Sequence, residues 1–386
     1  MRIFNDGCGP DRDDALRLRP DVRIRPTTNP DAVVGLYTQL ADLSLEIAAL
    51  RFEPLEQTTP GGWSRTTTSI LLRGGGEEGS GEDVIWTEEE HRLLRRHGAD
   101  LPVTGRYTLH GFSRQLDEIG LFTRPPSSPD FGLYRRWAFE SAALDLALRQ
   151  AGMSLAEALG IEPAPLRFVK SIGLGEPATS EPLRKLLELY PGLRFKVDFS
   201  SSWTAELIDE LAELGVVDTV DLKGLYRGDF SGPPADAELY RLVAEGLPEA
   251  WIEDPELDGE TEAALADHRD RITWDANLHS LADIVTLPFE PSCINIKPSR
   301  FGFLSELLRT YEYCTGRGIA MYSGGQFELG AGRGQAQYLA SLFHADAPND
   351  IAPRGYNRPE LEAGLPASPM PPAPSETGFR WADDEA

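Results

Sequence analysis

The apolar positions of the chain fall into short runs that alternate with longer stretches of helical periodicity. Seven runs of four or five residues have the composition of buried strands. Between them, apolar residues recur every three or four positions, the period of an amphipathic helix. The predicted strands cover residues 168–172, 194–198, 219–223, 251–254, 272–275, 293–297 and 319–322.

The spacing of these runs is regular. Their first residues are 26, 25, 32, 21, 21 and 26 positions apart, room for one strand, one helix and two loops each time. Strands that alternate with helices in this way form parallel β-α units. The pattern favours an α/β fold of the TIM-barrel type, with a doubly wound sheet as the alternative.

The N-terminal third has a different pattern. Residues 45–52, 67–73 and 82–87 predict three strands, and the Gly-rich stretch 74–81 between the last two predicts a hairpin loop. This stretch lacks the G-x-G-x-x-G spacing of a phosphate-binding loop. Helical periodicity over 134–160, interrupted at Gly152, predicts a helix that leads into the barrel. Residues 1–30 and 365–376 have the composition of loops or tails.

Composition narrows the possible partners. The 386-residue chain is long enough for a barrel and one further domain, and it carries 62 acidic against 37 basic residues, a formal charge of −25. This charge would repel nucleic acids and anionic membranes, so it favours a small-molecule partner. Three cysteines without paired spacing fit a reducing compartment, and no run of about 18 apolar residues or secretory leader is found, which predicts a cytoplasmic protein.

Ionisable residues stand at the ends of several predicted strands. In a barrel the carboxyl ends of all strands face one mouth, so Asp221, Glu253 and Asp275 would converge there. Each carboxylate alone has a structural explanation, the capping of the following helix. Three together would repel one another unless they held a cation. Because the ligands would all be oxygen atoms, we predict Mg²⁺, with Mn²⁺ as a substitute.

Lys297 ends the sixth predicted strand. A charged lysine at that depth needs a polar mouth or a carboxylate partner, and a structural ion pair is one explanation. Beside a metal ion its pKa would fall towards the working pH, which suits a general base or acid.

With these residues in place, the sequence resembles the enolase superfamily, in its muconate-lactonizing-enzyme-like branch. The similarity lies in WAFESAALDLALRQAGMSLAEALG before the barrel, in WIEDP at the fourth strand and in INIKPSRFGF at the sixth. The resemblance implies a modified (β/α) TIM-type barrel with an α+β capping domain. We expect an N-terminal extension over 1–20, the capping domain over 21–130, the barrel over 131–355 and a C-terminal segment over 356–386 that returns to the capping domain.

The resemblance also implies the site. The three metal carboxylates of the family fall on Asp221, Glu253 and Asp275, and its sixth-strand lysine falls on Lys297. At the end of the second strand the branch carries K-x-K, whereas this chain has Lys196 and Asp198. We expect both side chains to reach the mouth as catalytic residues. Lys196 would assist electrostatically, and Asp198 would pair with Lys196 and orient it or serve as an acid. The alternative is that Asp198 only caps the following segment.

A second alignment is open. It sets Asp198 in DFSSSW against the third-strand D-A-N-x-x-W of the family and Asp221 against the fourth-strand glutamate. That alignment would place WIEDP and INIK one strand too late, so the first alignment is preferred.

The resemblance implies an enzyme, a lyase or isomerase that abstracts the proton α to a substrate carboxylate through an enediolate intermediate. Dehydration, cycloisomerisation and epimerisation or racemisation all fit this description. It further implies a small carboxylate substrate and a homo-oligomer. The alternative is a catalytically inactive barrel that binds a carboxylate ligand or acts as a structural partner.

Overall fold

In the computed structural model, which describes residues 35–227 and 231–381, the first elements build two small antiparallel sheets. The strands are β1 (Ser44–Ile47), β2 (Ala49–Thr58), β3 (Ser64–Gly74), β4 (Glu77–Asp83) and β5 (Gly105–Thr108). β2, β3 and β4 form one sheet in that order, and β1 pairs with β5 in the other. The helices are α1 (Leu36–Ala41), α2 (Glu88–His97), α3 (Leu109–Glu118), α4 (Asp130–Ala151) and α5 (Leu155–Leu159), with a 3-10 turn at Gly98–Asp100.

Strand β4 lies directly on helix α4. A Cβ atom at Gly79 would lie 2.3 Å from the carbonyl oxygen of Ala142, and one at Gly81 would lie 2.0 Å from that of Ala138. Glycine on the strand and alanine on the helix therefore permit the close approach. The Gly-rich stretch was predicted as a loop, and for the part that forms β4 this prediction is wrong. The glycines of β4 are there because the strand packs closely on α4.

The predicted hairpin is confirmed, but the connection between β3 and β4 consists of two residues rather than the whole stretch 74–81. Gly75 and Gly76 have φ of 58° and 86°, the left-handed conformation that such a turn requires at both central positions. Helix α4 ends at Ala151, and Gly152 follows in the left-handed region with φ of 69°. The predicted stop at Gly152 is confirmed.

The remaining strands are parallel and alternate with helices. They are β6 (Lys170–Gly173), β7 (Phe195–Asp198), β8 (Val217–Asp221), β9 (Trp251–Glu253), β10 (Ile272–Thr273), β11 (Cys293–Ile296) and β12 (Ala320–Ser323). The helices are α6 (Glu181–Leu189), α7 (Ala205–Leu214), α8 (Ala237–Gly246), α9 (Gly259–Ala264), α10 (Leu281–Val285), α11 (Pro298–Phe301), α12 (Leu304–Arg317) and α13 (Ala331–Phe343), with 3-10 turns at Ala266–Arg271 and Arg354–Asn357. All seven predicted strands are confirmed.

These strands close into a barrel. Strands β6 to β10 pair side by side, and β11 pairs with β12. The N–H of Asn295 on β11 donates to the carbonyl of Trp274, which follows β10, at 2.9 Å and so connects these two sets of strands. Asn349 and Asp350 fill the eighth position. The N–H of Asp350 donates to Ser323 at 2.7 Å, and the carbonyl of Asn349 accepts from Val169 at 2.8 Å. The expected α/β barrel with an α+β capping part is therefore the observed fold.

A buried carboxylate joins the capping sheet to the barrel. Glu82 on β4 accepts hydrogen bonds from the backbone N–H groups of Leu329, Gly330 and Gly332 at 2.6–3.0 Å, and from the hydroxyl of Thr67 at 2.7 Å. These N–H groups precede and open helix α13, where the first N–H groups of a helix have no partner within it. We refer to these contacts as the Glu82 latch.

A second buried carboxylate joins the end of the chain to α4. Asp145 accepts from the N–H groups of Ser80 and Phe379, both at 2.8 Å, and from the side chain of Arg380 at 2.7 Å. One continuous cluster of buried apolar side chains runs through the capping part and the barrel. The predicted domain boundaries stay predictions, and the extension over 1–20 lies outside the described residues. Within the described residues, no helix is both long and apolar enough to cross a membrane.

Candidate metal centre and active site

The carboxylates predicted from the sequence end neighbouring strands at one height. Asp198 ends β7, Asp221 ends β8 and Glu253 ends β9, and the pairing register sets the three side by side. Asp275 follows β10 by two residues and Lys297 comes directly after β11. The strand order agrees with the preferred alignment, since Asp198 lies on the second barrel strand and Asp221 on the third.

A fourth carboxylate belongs to this cluster. Within the described chain, Asp221, Glu253 and Asp254 form a buried group in which one carboxylate oxygen of each lies within 4.8 Å of the others. Asp254 has the unusual φ of 50°, and its two oxygens accept the N–H groups of Asp275 and Ala276 at 2.8 Å. The sequence predicted Asp275 as the third carboxylate beside Asp221 and Glu253, but in this close group the third carboxylate is Asp254.

The side chain of Asp275 is held by cations and a hydroxyl. Its Oδ2 lies 2.8 Å from Lys297 Nζ and accepts from the Tyr226 hydroxyl at 2.9 Å. Its Oδ1 accepts from Arg300 at 2.7 Å. The positive charges of Lys297 and Arg300, which come from the end of the sixth strand and the turn after it, thus balance the charge of the Asp275 carboxylate. Lys297 thus lies at the carboxylate cluster, as its position in the sequence predicts.

Two further lysines reach the cluster from the second and third strands. Lys196 Nζ lies 3.3 Å from Asp221 Oδ2 and 3.8 Å from Asp350 Oδ2, and it contacts Glu253 directly. Lys223 Nζ lies 2.8 Å from Asp221 Oδ2 and is a second cation on that oxygen. The ammonium groups of Lys196 and Lys223 therefore balance the negative charge of the carboxylate cluster.

Asp198 does not have the partner predicted for it. Its Oδ1 lies 3.0 Å from Lys223 Nζ, and across the described ranges no ion pair joins it to Lys196. The prediction of a Lys196–Asp198 pair is wrong because the carboxylates of the third and fourth strands hold Lys196. Asp198 does not cap helix α7 either, since Thr204 is the N-cap and accepts from the N–H of Leu207.

Burial and mutual repulsion set the proton affinities of the cluster. Burial and the neighbouring charges of Asp221 and Asp275 outweigh Lys196 and raise the pKa of Glu253 to about 8. Burial, with Asp275 and Asp221, likewise raises the pKa of Asp254 to about 7. Burial opposes ionisation of Asp221 as well, but Lys223 and Lys196 hold the pKa of that carboxyl well below its usual range. A divalent cation would favour the ionised form of all of them.

Several residues near the carboxylate cluster escaped the sequence analysis, among them Asp350 and Lys170. Asp350 stands on the eighth barrel position, and burial raises its pKa. Lys170 begins β6 and is buried, which lowers its pKa to about 8. The eighth position consists of two residues, too few for an apolar pattern to reveal. Asp254 was visible as the acid after Glu253 in WIEDP, but sequence alone did not show where its side chain points.

The residues present fit a divalent cation. The donor set consists of buried carboxylate oxygens, the ligands that Mg²⁺ prefers, and lysine ammonium groups stand in for the positive charge. The same mouth presents Lys297 beside these ligands. The arrangement can neutralise an anionic group and move a proton at a neighbouring atom.

Comparison with known proteins shows the family. Two domain descriptions match adjacent parts of the chain, the "Domain of unknown function (DUF8230) N-terminal domain" over residues 38–158 and the "Domain of unknown function (DUF8230) C-terminal domain" over residues 162–358. The second alone covers half of the chain. The two matches meet between α5 and the first barrel strand.

Curated relatives of the chain are named as synthases and a racemase. The chain is 30% identical over 227 residues to an o-succinylbenzoate synthase of Geobacillus stearothermophilus, covering 56% of this chain and 58% of the relative. It is 29% identical over 230 residues to an N-succinylamino acid racemase of Amycolatopsis sp, covering 56% and 59%. The chain thus spans somewhat under two thirds of the length of these relatives.

Solved structures share the fold. An enolase-superfamily member of unknown function from Enterococcus faecalis V583 has a TM-score of 0.65 at 19% identity, over 88% of this chain and 95% of that one. A dipeptide epimerase from Methylococcus capsulatus, complexed with Mg ion, has a TM-score of 0.64 at 21% identity, over 87% and 99%. The chain therefore belongs to the DUF8230 family and shares the fold of these enolase-superfamily structures.

Proposed function

We propose that this protein is a Mg²⁺-dependent enzyme that abstracts the proton α to a substrate carboxylate, with Mn²⁺ as a substitute metal. The observation that carries the proposal is the convergence of buried carboxylates from the third, fourth and fifth strands on one mouth with Lys297. Nζ of Lys297 lies 2.8 Å from Asp275 Oδ2. A reaction of this kind needs a proton-transferring side chain close to the metal ligands.

Asp221, Glu253 and Asp275 are the proposed metal ligands, and Asp254 is the proposed positioning residue. Both oxygens of Asp254 already accept backbone N–H groups, including that of Asp275 itself. The oxygens of Asp275 are held by the side chains of Lys297 and Arg300, and a divalent cation can take the place of the Lys297 ammonium on Oδ2. Asp254 lies within reach of the ion, so the two roles are separated by experiment below.

The proposed base is Lys297. When bound, the cation would neutralise the substrate carboxylate and so would lower the energy of the enediolate formed from it. As the neutral amine, Lys297 takes up the α-proton and leaves the C–H electron pair in the enediolate. The ammonium so formed can return the proton to a neighbouring atom. Arg300 stays on Asp275 and holds that carboxylate in place while the ammonium of Lys297 changes partner.

One base is more consistent with the geometry than two. Lys196 is ion-paired with three carboxylates, which favours its protonated form, and Asp198 stands where the branch carries its second-strand lysine. Racemisation needs a base on each face of the α-carbon. We therefore propose a dehydration or cycloisomerisation, and a substrate of the succinyl-carboxylate class that the names of the curated relatives indicate.

The rest of the proposal concerns the setting of the enzyme. A small carboxylate substrate is compatible with the lysines of the mouth. The cytoplasmic location and the homo-oligomer stay predictions.

The test is exchange of the α-proton in deuterated water. Purified protein with Mg²⁺ is incubated with a panel of succinylated amino acids and related dicarboxylates, and deuterium incorporation is followed by NMR. We expect exchange in wild type and in Lys185→Met, a matched control at an exposed lysine. Metal binding without exchange across the panel would favour the inactive, ligand-binding barrel.

A further inference from the structure

Among the cations that the structure describes at the mouth, Lys223 has the most exposed side chain. Its side chain is 29% exposed, whereas those of Lys196, Lys297 and Arg300 are 3%, 8% and 6% exposed. Asp198, its partner, is 34% exposed. The Asp198–Lys223 pair therefore forms the solvent-facing rim of the site, above the buried carboxylates.

The backbone holds Lys223 in this place at a cost. Its φ is 54°, in the left-handed region that side chains other than glycine rarely adopt. The N–H of Lys223 donates to Asp221 Oδ1 at 3.0 Å and fixes the turn. A Cβ atom at Gly232 would lie 2.4 Å from the carbonyl oxygen of Lys223, so the loop packs closely on it. Strain that its surroundings maintain is typical of functional positions.

The ammonium of Lys223 retains hydrogen-bonding capacity. It has three donors, and it donates one aligned hydrogen bond, to Asp221 Oδ2 at 2.8 Å. Its contact with Asp198 Oδ1 is an ion pair by distance, but that oxygen accepts no aligned hydrogen bond from the described residues. The ring of Tyr226, 5.3 Å from Nζ, covers another side. A donor is thus left for a ligand in the mouth.

A metal ion would release this lysine further. Lys223 and Lys196 share the same oxygen of Asp221, which is a proposed ligand. Once that oxygen binds a cation, Lys223 keeps only Asp198 as its carboxylate partner, and repulsion directs its ammonium away from the ion. Lys196 keeps Glu253 and Asp350.

We propose that Lys223 binds the substrate carboxylate at the rim of the site, and that Asp198 is the positioning residue that holds Lys223 there. The inference rests on the proposed function for the identity of the ligand. It assigns Asp198 a role different from that of the second-strand lysine, since the positive charge now comes from the neighbouring strand. The ligand class is an organic carboxylate, recognised by a charge-assisted hydrogen bond.

The experiment measures ligand and metal affinity separately. Succinate is titrated calorimetrically into protein saturated with Mg²⁺, and Mg²⁺ is titrated into metal-free protein. The variants are Lys223→Met, Lys223→Arg and Asp198→Asn, with Lys185→Met as the matched control. For Lys223→Met we expect a loss of succinate affinity of roughly 10- to 100-fold, the range of a lost charged hydrogen bond. Mg²⁺ affinity should be unchanged or higher, because a competing cation is gone.

The remaining variants test the positioning role. Lys223→Arg should recover most of the succinate affinity, since it keeps the charge. Asp198→Asn should weaken succinate binding by about 3- to 10-fold in wild type and have no further effect in Lys223→Met, because a residue that acts through another is not additive with it. If Lys223→Met does not fold, the Asp198→Asn and Lys223→Arg affinities carry the test.

Several outcomes would overturn the inference. They are a succinate affinity in Lys223→Met within twofold of wild type, an equal effect of Asp198→Asn in both backgrounds, and no succinate binding by the wild type with Mg²⁺. Failure of the proposed function is distinguishable. If the wild type binds succinate through Lys223 but exchanges no α-proton, the rim site is supported and the proposed catalytic function is wrong.

Discussion

The Glu82 latch and the mouth of the barrel are both built on carboxylates with almost no exposure to solvent. Glu82 is surrounded by neutral donors, three backbone N–H groups and one hydroxyl, which the fold fixes in place. Glu253 at the mouth contacts the ammonium of Lys196, accepts from the Tyr322 hydroxyl and the Asn295 amide, and lies among other carboxylates. The hydrogen-bond donors that contact Glu82 are all neutral, whereas Glu253 also has an ammonium partner, whose place a metal ion could take.

This difference separates structural from functional carboxylates better than burial does. Burial raises the pKa of both Glu82 and Glu253, so a shifted pKa does not tell them apart. The kind of partner does, because fixed neutral donors cannot be exchanged for a ligand and ammonium groups can. We therefore expect changes at the latch to alter stability and changes at the mouth to alter chemistry and metal affinity.

The largest expected effect is on catalysis at the mouth. Lys297→Met should lower the rate of α-proton exchange by about 10²- to 10⁴-fold, the contribution of a positioned general base. Its Mg²⁺ affinity should stay within a few-fold of wild type. Deuterium incorporation and calorimetry measure the two quantities. Exchange at the wild-type rate would remove Lys297 as the base.

The next effect separates the two carboxylates that compete for the role of third ligand. Asp275→Asn should weaken Mg²⁺ binding by roughly 10- to 100-fold, as expected for loss of a charged ligand. Asp254→Asn keeps an oxygen acceptor for one of the two N–H groups and should weaken it less. Isothermal titration of both variants decides the matter. The reverse order would assign Asp254 as the ligand and Asp275 as the partner of Arg300.

A change at the latch should act on stability alone. Glu82→Gln keeps the shape but puts an amide donor among backbone N–H groups, and we expect a loss of about 1–3 kcal/mol in the free energy of unfolding. The exchange rate of the folded variant should match wild type. Urea unfolding and the exchange assay provide both values. A stable variant with impaired exchange would mean that the latch controls the mouth.

The smallest effect concerns a second structural group, His344. Its Nδ1 lies 2.8 Å from Asn349 Oδ1 beside the barrel closure, and burial lowers its pKa to about 4. The folded state then binds fewer protons than the unfolded state between the two pKa values, so stability is present above about pH 6.5 and lost as the pH falls. Between pH 7 and pH 5.5 the loss is about 1 kcal/mol.

Comparison with His344→Gln isolates this contribution. The variant should lose less stability than wild type over the same pH interval in urea unfolding. Equal losses in the two proteins would show that the pKa of His344 is the same in the folded and unfolded states.

Much of the fold and part of the site could be predicted from the sequence. Strands that end in Asp221, Glu253 and Lys297 are local patterns, because a strand interior is apolar and the mouth is not. Pairings across the barrel are not local. Lys196 contacts Glu253, 57 residues away, and Asp198 contacts Lys223 on the next strand, so strand alternation alone predicted the wrong pair.

Two other features lacked a readable pattern. Strand β4 at Gly79 and Gly81 depends on the close approach of helix α4, whereas its glycine-rich composition is typical of a loop. The eighth barrel position consists of Asn349 and Asp350, too short to show a period. Both are determined by tertiary contacts.

The measurement that tests the central claim most directly is the binding of Mg²⁺ to metal-free protein, by calorimetry with the melting temperature followed in parallel. The account predicts one site per chain, a melting temperature that rises with Mg²⁺ concentration, and loss of both effects in Glu253→Gln but not in Glu82→Gln. Absence of binding at millimolar Mg²⁺, or equal binding in Glu253→Gln, would contradict it.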